Sequence, residues 1–176
     1  MLLSTLIKST NREYQKIVVK GISFDSRKVK KGDIFFAIKG NSTSGVKFVG
    51  HALSRGASAI VSNKKINYIN CETPFFLVND VRKSLAEVCS IFYQKKPLNI
   101  IAVTGTNGKS SVADFFYQIL NLNNINVASI GTLGLLSNKY NKKYNLTSLD
   151  PVSLHKNLEA LSKNKINNVI LEASSH

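Results

Sequence analysis

Cysteine and long apolar runs are scarce in this sequence. Its two cysteines, Cys71 and Cys89, do not have the CxxC spacing of metal or redox sites, so we interpret them as packing or surface residues. No stretch reaches the roughly 18 consecutive apolar residues of a membrane-spanning helix. The first residues, MLLSTLIKST, hold too short an apolar run and no small-residue cleavage site for a secretory signal. We therefore expect a cytoplasmic protein without membrane insertion.

Acidic residues are also few, with 10 Asp and Glu against 24 Lys and Arg, which gives a formal net charge of +14. Such a charge favours anionic partners, including nucleic acids, anionic membrane surfaces and phosphorylated small molecules, and alone it does not choose among them. The basic residues are spread along the chain in single positions and short pairs, without a long basic run or a basic-aromatic repeat. We therefore expect no nucleic-acid partner.

The first half of the sequence has the pattern of a small α/β domain. With 43% hydrophobic residues in 176, the chain can bury a core in one moderate domain or two small ones. Short β-branched and aromatic runs predict strands at residues 17–27, 33–40, 58–62 and 75–78. Helical patterns cover residues 44–57 and 80–94. The second helix begins after Asp80 as N-cap and presents one apolar face, formed by Val81, Leu85, Val88 and Phe92.

The segment KKPLN separates this half from the rest, because its proline disfavours continued helix. We predict two domains, residues 1–94 and 95–176. In the second, NIIAVTG indicates a short buried strand, and NVASIG and NNVILEAS indicate two more. Asp150 and Pro151 are typical of a helix start. Strands alternating with helices predict a mainly parallel sheet covered on both faces, with ligands at the carboxyl ends of its strands.

The helix between the first two of these strands carries a broad apolar stripe. The residues of this stripe are Val112, Phe115, Phe116, Ile119 and Leu120. Strand, glycine-bearing loop and helix together form the start of a βαβ unit.

The loop between that strand and that helix has the composition of a phosphate-binding loop. Glycines let the backbone approach phosphates, amide groups at the helix start attract negative charge, and a lysine adds a point charge. The strict pattern requires a glycine where this chain has Val103, and the nearest glycine is Gly105. A glycine turn capping a helix would explain the glycines but not the lysine and serine after them. The predicted ATP-binding residues are Thr104, Gly105, Thr106, Asn107, Gly108, Lys109, Ser110 and Ser111.

A second candidate is Glu172, at the end of an apolar strand that we expect to lie beside the loop strand. A carboxylate there can bind Mg²⁺ opposite the Ser110 hydroxyl, as acidic residues do in other phosphate-loop enzymes. Lys109 and Glu172 are therefore the predicted catalytic residues. His51 and His155 lie in helical patterns, and we interpret them as structural or exposed.

Four stretches of the sequence resemble one family. TGTNGKSS resembles the nucleotide loop of the Mur ligases and of the related folylpolyglutamate synthetases, and the two serines after Lys109 favour the Mur ligases. Residues 22–40, with their Asp-Ser-Arg, resemble the N-terminal uridine-nucleotide domain of two Mur ligase branches. LTSLD and EASSH are similar to two further segments of the family. The combination points to the branch that adds the third amino acid to the UDP-linked muramyl peptide.

The resemblance implies roles for individual residues. It implies that Phe24 and Ser26 contact the uridine nucleotide, and it aligns residues 41–43 with the family's loop over that nucleotide, without the usual histidine. The residues implied to bind the muramyl peptide are Thr147, Ser148 and Ser175, with Ser174 as an alternative to Ser175. The residues implied to hold Mg²⁺ are Ser110, Glu172 and His176.

The resemblance also implies an activity, with ATP and Mg²⁺ as cofactors. The implied activity is that of an ATP-dependent C–N ligase of peptidoglycan synthesis in the bacterial cytoplasm. Such a ligase would serve cell-wall biogenesis, cell shape and cell division. Its partners would be UDP-N-acetylmuramoyl-L-alanyl-D-glutamate and an amino acid, lysine or diaminopimelate, joined through an acyl phosphate. We expect the 176-residue chain to be truncated and inactive alone. The alternatives are a non-catalytic module that binds nucleotide or UDP-sugar peptide, and a ligase of the folylpolyglutamate type.

Overall fold

The computed structural model describes residues 1–8, 13–40, 43–66, 72–144 and 148–174, and only the backbone of residue 15. The chain divides into two compact units, Met1–Phe92 and Tyr93–His176. Each unit contains a four-stranded sheet, and five of the six strand pairings among the described residues are parallel. The predicted fold class, α/β with mainly parallel sheets, is confirmed.

The first unit is built on a fully parallel sheet with strand order β1-β2-β3-β4. Its strands are β1 (Gly21–Ser23), β2 (Asp33–Phe36), β3 (Ala59–Ser62) and β4 (Phe75–Leu77). Its helices are α1 (Leu3–Leu6), α2 (Val49–Ser54) and α3 (Val81–Phe92), with short 3₁₀ turns at Glu13–Lys16, Ser26–Lys28 and Gly45–Phe48. The first strand is shorter than predicted, because the Asp25 side chain accepts the N–H of Arg27 and starts a 3₁₀ turn.

The core of the first unit lies between the sheet and its helices. Every residue of β2 and β3 is buried. One cluster joins the two strands to α2 through Val29, Phe35, Ala37, Val49, Ala52, Ala57 and Ile60. In α3, the predicted apolar face buries Val81, Leu85 and Val88, and Cys89 is buried beside them. As predicted, Asp80 caps this helix by accepting the N–H groups of Arg82 and Lys83.

The second unit has strand order β5-β8-β6-β7. Its strands are β5 (Asn99–Val103), β6 (Val127–Gly131), β7 (Gly134–Ser137) and β8 (Asn168–Glu172), and its helices are α4 (Lys109–Leu122) and α5 (Pro151–Lys163). β8 is parallel to both β5 and β6, whereas β7 folds back antiparallel to β6. The sequence did not predict β7. Asp150 caps α5 by accepting the Ser153 N–H, as predicted.

Burial in the second unit is uneven. A core cluster joins α5 to the sheet through Ala128, Ile130, Leu135, Leu158, Leu161, Ile166 and Val169. The prediction of a buried β5 was wrong: Ile100 and Ile101 are each 41% exposed. Within the part of the chain that the structure describes, β5 pairs on one side only, with β8. The apolar stripe of α4 is also largely exposed at Val112, Phe115 and Ile119.

Within the described ranges, no helix is both long enough and apolar enough to cross a bilayer.

Candidate functional site

The loop between β5 and α4 contains two glycines with positive φ, as a phosphate-binding loop requires of its backbone. Gly105 has φ of 147° and Gly108 has φ of 77°, a region that favours glycine over residues with a side chain. Gly108 is also the residue before the first turn of α4, where backbone N–H groups point toward the loop. Val103, which stands where the strict pattern has glycine, is instead the last residue of β5 and pairs with Glu172. The strand therefore continues one position into the motif.

Lys109 closes over this loop. Its Nζ donates to the carbonyl oxygens of Gly105 at 2.6 Å and Thr106 at 3.3 Å. These bonds hold the ammonium group against the loop from the first position of α4. Since an ammonium group and the N–H groups of a helix start both attract anions, this is a favourable place for phosphate.

Glu172 lies beside the loop because β8 pairs directly with β5. Its side chain is buried, with the residue only 5% exposed, and three donors reach it. Ser110 Oγ donates to Oε2 at 2.8 Å, Thr132 Oγ1 donates to Oε2 at 3.1 Å, and the Thr132 N–H donates to Oε1 at 3.0 Å. The predicted placement of Glu172 opposite Ser110, on a strand beside the loop strand, is thus present in the structure.

The Ser110 and Glu172 side chains suit a hard cation. A hydroxyl group and a carboxylate are oxygen donors, and Mg²⁺ in nucleotide sites uses one or two carboxylates together with phosphates and water. Among the described residues, no group of three or more His, Cys, Asp and Glu side chains could hold a metal ion. A cation at this place would therefore depend on a bound phosphate for part of its coordination.

The surface of the second unit has a depression of about 360 Å³ at this place. It is lined by Thr106, Asn107, Gly108, Lys109, Ser110, Ser111, Thr132, Glu172 and Ser174. Thr104 and Gly105 were also predicted to bind ATP, but they do not line this depression. Thr132 was missed by sequence reasoning. The only available signal was its place directly after the strand β6.

Ser148 comes close to the same site. Its Oγ accepts the N–H of Ser174 at 2.9 Å, and Ser174 lines the depression beside Glu172. The structure therefore brings one residue of the LTSLD segment to the end of β8. Of the other residues predicted to bind the muramyl peptide or the metal, Thr147, Ser175 and His176 lie outside the described residues.

The predicted uridine-nucleotide residues lie in the first unit. Phe24 is 38% exposed, whereas Ser26 is buried at the start of a 3₁₀ turn. Sequence reasoning missed the contact between Ser26 Oγ and His51 Nδ1, which are 3.1 Å apart. Asn41 and Ser42 of the predicted nucleotide loop lie outside the described residues, as does Cys71.

An ion pair flanks Ser26. Arg27 donates from Nε and Nη2 to the two oxygens of Asp25, at 3.0 and 2.9 Å. The side-chain hydrogen bond from Arg27 lowers the pKa of Asp25, against a smaller effect of burial that raises it. Because the Arg27 side chain is exposed, this pair orders the turn locally and adds little to stability.

Two family models match the chain. The model described as "Mur ligase family, catalytic domain" matches residues 18–93, and the "Mur ligase middle domain" matches residues 103–176. Together they cover most of both units. These matches favour the Mur ligases over the folylpolyglutamate synthetases, which had shared the loop motif.

Several curated proteins are similar over nearly the whole chain. The UDP-N-acetylmuramoyl-L-alanyl-D-glutamate--2,6-diaminopimelate ligase of Rickettsia montanensis is 44% identical over 167 residues, which is 93% of this chain and 34% of that protein. The ligase of the same name from Rhizobium meliloti (strain 1021) is 42% identical over 160 residues, 91% of this chain and 33% of that protein. The chain thus spans about a third of the length of these curated relatives.

Solved structures agree with the sequence matches. A structure of UDP-N-acetylmuramoyl-L-alanyl-D-glutamate--2,6-diaminopimelate ligase superposes with a TM-score of 0.83 at 29% identity, covering 100% of this chain and 36% of that one. The MurF ligase from Thermotoga maritima in complex with ADP superposes with a TM-score of 0.59 at 24% identity, covering 91% of this chain and 33% of that one. The second likeness is one of fold.

Proposed function

The chain belongs to the Mur ligase family, and we propose that it binds Mg²⁺-ATP in its second unit as part of a ligase that extends a muramyl peptide. The whole protein would join diaminopimelate to UDP-N-acetylmuramoyl-L-alanyl-D-glutamate, the reaction for which the similar curated proteins are named. Of the two amino acids that the sequence left open, diaminopimelate is favoured by those names. The cytoplasmic location stays a prediction.

The single observation that carries this proposal is the cluster at the carboxyl ends of β5, β8 and β6. There Lys109 lies over a glycine-bearing loop, and the buried carboxylate of Glu172 faces Ser110 at 2.8 Å. Parallel α/β sheets bind ligands at this edge. A lysine for phosphate and a carboxylate with a hydroxyl for the cation are the groups that phosphoryl transfer requires.

In the proposed reaction, a carboxylate oxygen of the muramyl dipeptide attacks the γ-phosphorus of ATP, and ADP leaves. The amine of diaminopimelate then attacks the acyl carbon, loses a proton, and releases phosphate. Lys109 and the N–H groups of the loop would bind and orient the phosphates. Ser110 and Glu172 would hold Mg²⁺, which when bound offsets the negative charge of the phosphate oxygens.

The other proposed contacts concern the muramyl substrate. We assign Phe24 and Ser26 in the first unit to the uridine nucleotide, and Ser148, with Thr147 and Ser175, to the peptide. The exposure of Phe24 and the hydrogen bond of Ser148 to the backbone beside Glu172 support these roles. His176 is a further proposed contact of the metal.

Nucleotide binding by the 176-residue chain tests the proposal most directly. Isothermal titration calorimetry with Mg²⁺-ATP should give binding to the unmodified chain. Lys109→Ala should weaken that binding by about 10- to 150-fold, because a charge-assisted contact to phosphate contributes about 1.5–3 kcal/mol. Lys139→Ala is the matched control, since it removes the same charge from an exposed position of the same unit.

Three results decide the matter. Loss of binding in Lys109→Ala alone supports the site. Equal weakening in both variants would mean that net charge, and not the loop, attracts the nucleotide. Absence of Mg²⁺-ATP binding by the unmodified chain would overturn the proposal.

A further inference from the structure

We propose that Thr132 is a positioning residue that orients Glu172 and thereby sets the affinity of the site for Mg²⁺ bound with nucleotide. Thr132 follows β6, and the resemblance to known ligases assigned it no role. Because the role of Thr132 acts through the Ser110 and Glu172 pair, it rests on the function proposed above.

The first reason is that Thr132 holds both oxygens of the same carboxylate. Its N–H donates to Oε1 at 3.0 Å, and its hydroxyl donates to Oε2 at 3.1 Å. The last torsion angle of a glutamate side chain has a broad distribution, with only weak preference for particular values. Two bonds from one residue restrict that torsion and fix which oxygen faces which neighbour.

The second reason is the direction in which the carboxylate is turned. Oε2 is the oxygen that also accepts from Ser110, at 2.8 Å, so it faces the phosphate loop. Oε1 is bound by the backbone N–H of Thr132. The carboxylate therefore presents one oxygen to the loop and keeps the other within the protein. Mg²⁺ demands near-ideal geometry from its ligands, which makes a pre-oriented oxygen valuable.

The third reason is the glycine before Thr132. A methyl group added at Gly131 would overlap Oε1, Cδ and Cγ of Glu172. The backbone of β6 thus lies directly against the glutamate side chain, and this close approach lets the Thr132 N–H reach Oε1. Burial adds to the effect, because the oxygens of a carboxylate that is 5% exposed depend on hydrogen-bond donors within the protein.

The substitutions that isolate this role change only the hydroxyl group. Thr132→Val keeps the backbone N–H and nearly the same shape but removes the bond to Oε2. Thr132→Ser keeps a hydroxyl at the same position. Neither variant alters Lys109, Ser110 or Glu172, which are the groups proposed to touch the nucleotide and the cation.

The measurement is ADP binding to the 176-residue chain by calorimetry, once with Mg²⁺ and once with EDTA. The ratio of the two affinities gives the contribution of the cation. For Thr132→Val this ratio should fall by about tenfold, the usual effect of losing a hydrogen bond to a charged group, while binding in EDTA stays unchanged. Thr132→Ser should restore the ratio to within about twofold. Binding of Mn²⁺ in the presence of ADP, followed by electron paramagnetic resonance, should show the same order.

An unchanged ratio in Thr132→Val would overturn the role of Thr132. Equal losses of ADP affinity in Mg²⁺ and in EDTA would also overturn it, because they would show a general effect on the loop. If Thr132→Val does not fold, Thr132→Ala is measured in the same way with the same expectation. No ADP binding by the unmodified chain under either condition would instead overturn the proposed function, and the role of Thr132 with it.

Discussion

The two sheets differ in the order in which the chain forms their strands. In the first unit the strands lie side by side in sequence order, β1 to β4. In the second unit β8 is inserted between β5 and β6, although it is the last strand of the chain. The insertion brings the loop after β5, the end of β8 and the residue after β6 together at one edge. An order that reverses in this way opens a crevice for ligands at the strand ends.

Each unit also contains a buried carboxylate that faces a glycine on the neighbouring strand. Asp33 begins β2, lies against Gly21 and accepts the N–H of Lys30 at 2.9 Å. Glu172 ends β8 and lies against Gly131. The first is at the amino end of its strand and its described partner is a backbone group. The second is at the carboxyl end, where hydroxyl groups and a phosphate loop surround it. Position along the strand therefore separates Asp33 from Glu172, the carboxylate that we propose to hold Mg²⁺.

The largest effect should come from core truncation, which tests the difference in burial between the sheets. Ile34 in β2 is fully buried, whereas Ile101 in β5 is 41% exposed. Ile34→Ala should lower the free energy of unfolding by about 2–5 kcal/mol, and Ile101→Ala by about 1 kcal/mol or less. Urea unfolding, with hydrogen exchange on peptides of each sheet, measures both. Equal losses would show that β5 is as well packed as β2.

The next effect tests the two carboxylates. Glu172→Gln should weaken Mg²⁺-dependent ADP binding by at least about tenfold, because a neutral amide is a poor ligand for Mg²⁺. Asp33→Asn should leave ADP binding unchanged and lower the free energy of unfolding by about 1 kcal/mol through a weaker bond to Lys30. Calorimetry and urea unfolding of both variants give the four values. Weaker ADP binding in Asp33→Asn would contradict the distinction drawn between Asp33 and Glu172.

The smallest effect concerns the ion pair of the first unit. Arg27→Met should raise the pKa of Asp25 toward its ordinary value, because the Arg27 side-chain hydrogen bond lowers it. Because the pKa is lowered, the pair contributes folding stability at pH values above the ordinary pKa of an aspartate. That contribution is lost as pH falls through the pKa of Asp25 in the folded protein. Titration of the Asp25 carboxyl by NMR measures the shift. Arg82→Met removes a charge from the same unit and should leave the Asp25 pKa unchanged.

Local sequence signals predicted much of this structure. Asp80 and Asp150 predicted two helix starts, because a side-chain cap depends only on residues a few positions away. The placement of Glu172 beside the loop after β5 also followed from sequence, since strand alternation predicts which strand ends meet. The loop residues Thr106 to Ser111 line one depression with Glu172.

What the sequence did not predict depends on contacts between distant segments. β7 is short and pairs antiparallel to β6, and its pattern did not distinguish it from a loop. The exposure of β5 depends on which segments cover its side chains, and no local pattern contains that information. The contact of Ser26 with His51 joins residues far apart in the chain, as does that of Thr132 with Glu172. Single threonine and histidine residues give no signal until the fold places a partner beside them.

The missing side chain at Gly131 restricts how this region can change over evolutionary time. Even an alanine there would occupy the space of the Glu172 side chain. Positions 131 and 172 therefore cannot drift independently: a larger residue at 131 requires a shorter or relocated acid at 172. Among homologous chains, a glycine at the first position should accompany a glutamate at the second. A homologue without that glycine should therefore lack this carboxylate or carry it on another strand.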